Sequence, residues 1–188
     1  MNRKQREETS KFLSYVLRHE PQAIGIQLDS QGWVEIDALI HGAARHGRLL
    51  QRDDILETVA SNEKQRFAVS ADGSRIRASQ GHSTMSVAIE HEAKEPPALL
   101  YHGTASRFLD SIRLGGLIAG SRHHVHLSHE QHTAIDVGRR HGSPAVLEVD
   151  AAGMYRQGFR FFQADNGVWL TEQVPVEFLT RLDATEAV

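Results

Sequence analysis

The sequence predicts an α+β protein in two lobes, an N-terminal winged-helix lobe followed by a C-terminal lobe with a split β-sheet. Three observations carry this. Near the middle of the chain lies a polar, charged stretch, Glu90-His91-Glu92-Ala93-Lys94-Glu95-Pro96-Pro97, whose Pro-Pro pair cannot continue a helix. Before it, helical apolar spacing gives way to two short runs around Asp72-Gly73, the dipeptide of a tight hairpin. After it, short strands alternate with helical segments, the pattern of an α+β domain. The lobes are accordingly placed at residues 1–92 and 98–188.

In the first lobe, Asn2 is suited to cap a helix from Arg3 to Arg18, with Gln5 three residues on as its capping-box partner. Phe12 with Val16 and Leu13 with Leu17 form its apolar stripe, and Pro21 stops it, leaving Arg18 and His19 in or just past the last turn. Ile36, Leu39, Ile40 and Ala43 mark a second helix to His46. Ile55, Leu56 and Val59 mark a third from Arg52 to Ala60, with Asp53 and Asp54 at its positive end. Arg66-Phe67-Ala68-Val69 and Arg75-Ile76-Arg77-Ala78 then form the wing.

In the second lobe, Leu99-Leu100-Tyr101-His102 reads as a strand and Ser106 as the cap of a helix running to Gly115-Gly116. His124 to Ser128 alternates as a strand, Glu130 to His141 is a helix closed by Gly142 and Pro144, and Ala145 to Val149 is a strand. Phe159 to Phe162 and Val168 to Leu170 complete the set, joined by the turn Asp165-Asn166-Gly167. Trp33 and Trp169 are expected in the cores.

Composition narrows the chemistry. Of 188 residues, 40% are hydrophobic and 24% charged, the balance of a soluble globular chain. No apolar run approaches the ~20 residues of a membrane helix, and no apolar segment follows the charged start, so neither a membrane span nor a signal peptide is expected. A cytoplasmic monomer is expected. The absence of cysteine excludes disulfides, thiolate nucleophiles and Cys-ligated zinc. A net charge of −3 argues against broad coating of nucleic acid, so any RNA contact must use a local basic site.

Arg18-His19 has two readings. Both residues could close the negative end of the first helix. Alternatively they bind phosphate, the planar guanidinium holding two oxygens and the imidazole donating to a third or moving a proton. Lys64, Arg66, Arg75 and Arg77 read most simply as solvated strand-edge cations. Seven of the 12 histidines fall between His102 and His141. His124 and His126 share a strand face, yet no metal-binding helical spacing is found, and a polar groove for hydroxyls and an anion is the plainer reading; no metal is expected. Tyr101-His102-Gly103-Thr104 lies between a strand and a helix, where glycine admits a ligand to the backbone and His102 and Thr104 offer hydrogen bonds. It lacks the repeated glycines of a dinucleotide or phosphate-loop fingerprint. No local chemistry follows from Gln80-Gly81-His82-Ser83.

Taken together, these segments resemble the tRNA 2'-phosphotransferase family. The matching words are Leu17-Arg18-His19, Gln31-Gly32-Trp33-Val34, Lys64-Gln65-Arg66-Phe67, Ile76 to Ser83, Tyr101-His102-Gly103-Thr104, Arg122 to Ser128, Val137 to Gly142 and Asn166 to Thr171, in the family's order. Ser79 departs from the pattern, where asparagine is expected in many relatives. The resemblance implies a winged-helix lobe joined to an ADP-ribosyltransferase lobe, with the active site between them, and NAD as co-substrate. It implies four key residues, Arg18, His19, Arg66 and Arg122. It implies NAD contacts at Tyr101, His102, Gly103, Thr104, Ser106, Gly116, Leu117, His126, Ser128 and Val168. His126 and Val168 match the second histidine and the hydrophobic member of the histidine-histidine-hydrophobic class. Arg139 matches a family position without an implied catalytic role.

The implied partner is RNA carrying an internal 2'-phosphate. The phosphate displaces nicotinamide from NAD to give RNA-2'-phospho-ADP-ribose, and the ribose 2''-hydroxyl then attacks phosphorus, leaving 2'-hydroxyl RNA and ADP-ribose 1'',2''-cyclic phosphate. One alternative is an ADP-ribosyltransferase acting on nucleic-acid terminal phosphates, which stops after the first step. A non-catalytic DNA-reading module is disfavoured because the third helix carries Asp53, Asp54 and Glu57 against Arg52.

Overall fold

A computed structural model describes residues 1–182; the last residues of the C-terminal lobe assigned above, 183–188, lie outside the described residues. The chain divides into two compact units, Met1–Glu90 and His91–Val188. Each mixes helices with small antiparallel sheets, an α+β organisation.

Unit 1 opens with α1 (Arg3–Arg18), whose N-terminus is fixed by the reciprocal capping box of Asn2 and Gln5. A 3₁₀ turn (Pro21–Ile24) follows, then β1 (Val34–Glu35), α2 (Ile36–Arg45) and α3 (Arg52–Ala60). The strands β2 (Phe67–Val69) and β3 (Arg75–Ala78) pair antiparallel, and β1 adds to β3, giving the order β1-β3-β2. The hairpin is wider than a two-residue turn. Asp72 oxygens accept from Ser70 and Ser74, and Gly73 takes φ 73° within the longer loop. Leu13, Leu17, Ile36, Leu39, Ile55 and Ile76 are fully buried and form the core. Truncating any one to alanine costs about 2–5 kcal/mol. Arg52 ties α3 to its neighbours, pairing with Asp37 of α2 at 2.8 Å and donating to the Gly73 carbonyl at 2.9 Å.

Trp33 departs from the core expectation. It is only half-buried, with the guanidinium of Arg77 at 4.6 Å and that of Arg75 at 5.6 Å from its ring centroid. The arginines expected as solvated strand-edge cations therefore cover a tryptophan.

Unit 2 carries β4 (Leu99–Ala105), a 3₁₀ turn (Ser106–Phe108), α4 (Leu109–Gly115), β5 (Leu117–Ile118), β6 (Val125–Leu127) and α5 (Gln131–Arg139). It continues through β7 (Pro144–Asp150), α6 (Ala151–Arg156), β8 (Phe161–Gln163), β9 (Trp169–Thr171), β10 (Gln173–Val174), a 3₁₀ turn (Val176–Phe178) and β11 (Leu179–Leu182). Two three-stranded sheets result, β11-β7-β4 and β6-β9-β8, with β10-β5 a separate pair. Reciprocal backbone hydrogen bonds between Tyr101 and Ser128, at 2.9 and 2.7 Å, stitch β4 to the end of β6. Leu100, Leu127, Val149, Met154, Phe161 and Trp169 lie in the core.

Two expectations for this unit are corrected. Ser106 does not cap α4; it begins the 3₁₀ turn, its N–H bonded to the Ser143 carbonyl at 2.9 Å, and α4 starts at Leu109. The helix α6 has no counterpart in the sequence reading. It forms because the Asp150 side chain caps the Gly153 N–H at 2.8 Å, immediately after β7 ends. Among the described residues, no helix is long and apolar enough to cross a membrane.

Candidate active site

In unit 1, α1 ends at Arg18, and His19 follows as its C-cap with its N–H on the Tyr15 carbonyl at 3.0 Å. The segment beyond the hairpin returns to this helix end. Ser83 donates its backbone N–H to the Arg18 carbonyl at 2.9 Å, and its hydroxyl lies 2.9 Å from Nδ1 of His19. Arg18 Nη2 in turn lies 3.5 Å from the carbonyl of Arg66, a long contact, and the same carbonyl accepts the Ser79 N–H at 2.9 Å. Arg66 Nη1 is 3.4 Å from Asn62 Oδ1. Arg18, His19 and Arg66 thus belong to one hydrogen-bonded cluster.

The backbone ahead of Arg66 is strained. Gln65 has φ 42°, a left-handed conformation that costs a residue with a side chain roughly 1–3 kcal/mol. Two bonds enforce it: the Gln65 N–H donates to the Asn62 carbonyl at 2.8 Å, and buried Ser79 donates its hydroxyl to the Gln65 carbonyl at 2.9 Å. Ser79, the departure from the family's pattern, is therefore the residue that pins the segment carrying Arg66. His82 is also buried, and a Cβ at Gly32 would sit 3.0 Å from its Nε2, which explains a glycine there with φ 79°. The segment Gln80 to Ser83, which offered no local chemistry, anchors His19 and Arg18 across the unit. His19 and Arg66 also line a groove of about 900 Å³ between α1 and the α3–β2 connection.

In unit 2, His102 of β4 places Nδ1 3.1 Å from the His126 carbonyl. A carbonyl only accepts, so Nδ1 carries the proton. Burial, joined by repulsion from Arg122 and opposed by this hydrogen bond, holds the His102 pKa below its ordinary value. The ring is neutral at pH 7 and Nε2 is left as an acceptor. His126 Nδ1 receives Arg122 Nη1 at 2.8 Å; because a guanidinium only donates, the proton of the neutral His126 ring sits on Nε2. Desolvation also lowers Arg122 from its ordinary value, but an arginine keeps its charge in any protein setting.

Strand alternation extends this site. Val125 and Leu127 of β6 and Trp169 and Thr171 of β9 are buried on one face. His124, His126 and Ser128 share the other, and in register with them come Leu170 and, one step past the ladder, Val168. Phe162 of β8 pairs with Leu170, and its ring meets that of His124 edge-on at 5.6 Å. The structure therefore groups Tyr101, His102, Arg122, His126, Ser128 and Val168 around one part of the unit.

The remaining expected positions have packing reasons. A Cβ at Gly103 would lie 1.7 Å from the Ala134 carbonyl oxygen of α5, so helix packing requires glycine there. Gly138 answers it from α5, 2.5 Å from the Thr104 carbonyl by the same test. Thr104 itself is buried. Gly116 has φ 71° and backs onto the Val174 carbonyl, and Leu117 is a core residue paired with Val174. Arg139 pairs with Asp136 one helical turn away at 3.0 Å. Among the described residues, no group of three histidine or acidic side chains is placed to hold a metal ion.

Comparison with known proteins places the chain. The model of the RNA 2'-phosphotransferase, Tpt1 / KptA family matches residues 4–173. A Pseudomonas aeruginosa protein (strain UCBPP-PA14) named "Probable RNA 2'-phosphotransferase" is 63% identical over 179 residues, covering 95% of this chain and 98% of its own. A Pseudomonas fluorescens protein of the same name is 62% identical over 182 residues, 97% of this chain and all of its own, and one from Burkholderia lata is 59% identical over 174 residues, 93% and 90%. The chain therefore belongs to the RNA 2'-phosphotransferase (Tpt1 / KptA) family.

Proposed function

We propose that the protein is an NAD-dependent RNA 2'-phosphotransferase, with unit 1 a winged-helix lobe that takes the RNA phosphate and unit 2 an ADP-ribosyltransferase-like lobe that takes NAD. The observation that carries this reading is the hydrogen-bonded network at the end of α1, in which Ser83 ties His19 to the Arg18 backbone and the Arg18 guanidinium meets the backbone carbonyl of Arg66. Family membership supports it.

The second unit suits NAD as co-substrate. His102 presents a neutral Nε2 acceptor of the kind a ribose hydroxyl can donate to, and Arg122 supplies fixed positive charge beside it. Bound NAD supplies an anomeric carbon with a neutral leaving group, nicotinamide. The residues' task in the first step is then to hold two polyanions in line, since a phosphate monoester is already largely dianionic at pH 7. Each charge-assisted hydrogen bond contributes roughly 1.5–3 kcal/mol against their repulsion.

The second step asks more of unit 1. Attack of a ribose hydroxyl on phosphorus spreads charge over the equatorial oxygens and requires a proton for the departing RNA oxygen. Arg18 and Arg66 bind those oxygens, and His19, oriented by Ser83, moves the proton.

The test is direct. The protein is mixed with NAD and a short RNA bearing one internal 2'-phosphate, and nicotinamide and the phosphorus-containing products are followed. Release of nicotinamide with ADP-ribose cyclic phosphate and 2'-hydroxyl RNA is expected. A stable ADP-ribosylated nucleic acid without cyclic phosphate would turn the reading to ADP-ribosyl transfer alone, and no consumption of NAD would overturn it.

A further inference from the structure

The groove on unit 1 extends well beyond the residues given catalytic roles. Along α1, Arg3, Glu7, Lys11, Tyr15 and His19 recur at four-residue spacing, and all five line it. This spacing sets them on one helical stripe that ends on His19. With a rise of about 1.5 Å per residue, Lys11 lies ~12 Å along the helix from His19 and Tyr15 ~6 Å. Asn62, Lys64 and Arg66 line the groove from the α3–β2 connection.

Its charge departs from that of the chain. Five arginines and lysines line the groove against two glutamates, in a protein whose net charge is −3. Two of those cations have local carboxylate partners, Arg3 with Glu7 and Arg6 with Glu57. Lys11, Lys64 and Arg66 also line the groove, with Glu63 next to Lys64 in sequence. Tyr15 is 49% exposed, a large aromatic ring left at the surface among these cations. A basic track interrupted by an exposed aromatic is the chemistry of a single-stranded nucleic-acid seat, where cations follow phosphates and the ring stacks a base.

We propose that this groove seats the single-stranded RNA flanking the 2'-phosphate, with Tyr15 stacking a neighbouring base and Lys11 and Lys64 contacting backbone phosphates. The proposal rests on the reading of the protein as an RNA 2'-phosphotransferase with His19 and Arg66 at the reacting phosphate. It adds a source of substrate preference: a 2'-phosphate in an unpaired strand with an intact neighbouring base binds better than the same group beside a missing base. A rigid duplex would hold that base in its own stack.

The test uses two ten-nucleotide RNAs with the same internal 2'-phosphate, one intact and one with the bases next to the phosphorylated nucleotide removed. Binding to the full-length protein without NAD is followed by fluorescence anisotropy. Wild type is expected to prefer the intact strand by about tenfold. Tyr15→Ala should erase that preference and Tyr15→Phe should keep it. Lys11→Glu should weaken both RNAs and lower the salt dependence of binding by about one phosphate contact. Both side chains are exposed, and the thermal midpoint of each variant checks that the fold is intact. Equal binding of the two RNAs by wild type, or a preference that survives Tyr15→Ala, overturns the proposal. Turnover with NAD, measured separately, decides the phosphotransferase reading, so either can fail alone.

Discussion

The Ser83 hydroxyl meets Nδ1 of His19 at 2.9 Å, while the Ser83 backbone N–H holds the Arg18 carbonyl at the same distance. A loop residue 64 positions away in sequence therefore fixes the ring of one candidate catalytic side chain and the backbone of the other. Ser83 is a positioning residue in this arrangement. Replacing it with alanine removes the side-chain bond and keeps the backbone one. The expected result is a fall in kcat of about tenfold, a modest fraction of what a general acid or base contributes, with little change in KM for RNA. Ser83→Thr, which keeps the hydroxyl, should restore kcat. A variant that changes KM alone, or a loss that Ser83→Thr does not restore, would show that the contact does not orient His19.

Arg66 and His19 are assigned chiefly to the second step. Arg66→Lys keeps a charge but loses the planar fork that holds two oxygens. His19→Ala removes the proton carrier. In single-turnover experiments both should release nicotinamide while slowing cyclic phosphate formation by about a hundredfold or more, so that RNA-2'-phospho-ADP-ribose accumulates. If nicotinamide release and phosphate transfer slow together, the division of labour is wrong.

The sequence carried α1 well, because both its ends are local: the Asn2–Gln5 box starts it and Pro21 lies just beyond its stop. Antiparallel β2 and β3 were legible for the same reason, with Gly73 taking the positive φ that their connecting loop requires. Long-range devices were not. β1, β5 and β10 are two residues long and exist only through remote partners, and β11 needs the edge of β7. α6 has six residues with Gly153 in the middle, too short for a periodic signal, and rests on one aspartate cap. Within the candidate site, Arg18-His19 announced itself by residue type. Ser79 and Ser83 did not, since a serine becomes informative only when its distant acceptor is known.

The pH response of unit 2 follows from His102. Its pKa in the folded protein lies below the ordinary value of 6.5, chiefly through burial. In the window between the lowered folded value and 6.5 the unfolded chain binds more protons, so stability rises with pH there. The contribution is complete above 6.5 and is lost as pH falls through the folded value. His124 is lowered by burial as well and acts in the same direction. His102→Gln should therefore flatten the dependence of the thermal midpoint between pH 7 and pH 5, leaving the share due to His124. Protonation also removes the Nε2 acceptor, so KM for NAD in the wild type should rise on the same acid side. A His102→Gln protein with an unaltered acid slope would place the titration elsewhere.

Gly103 gives the sharpest structural test. It sits in β4 between His102 and Thr104, and α5 crosses so closely that an added methyl carbon would fall 1.7 Å from the Ala134 carbonyl oxygen. That neighbour is helix backbone and cannot swing aside as the tip of a long side chain could. Either α5 lifts from β4 or the strand bends, and both disturb the strand that presents His102. Gly103→Ala is expected to destabilise the protein by about 3 kcal/mol or more, the upper end of what overpacking costs, and to lower turnover with it. Gly47→Ala provides the contrast. Gly47 also has positive φ, 78°, but an added carbon there meets nothing within 4 Å, so only the backbone preference of about 1 kcal/mol is lost. Urea denaturation of the two variants separates the cases. Comparable losses would mean that the close approach of α5 to β4 is not a fixed feature of the fold.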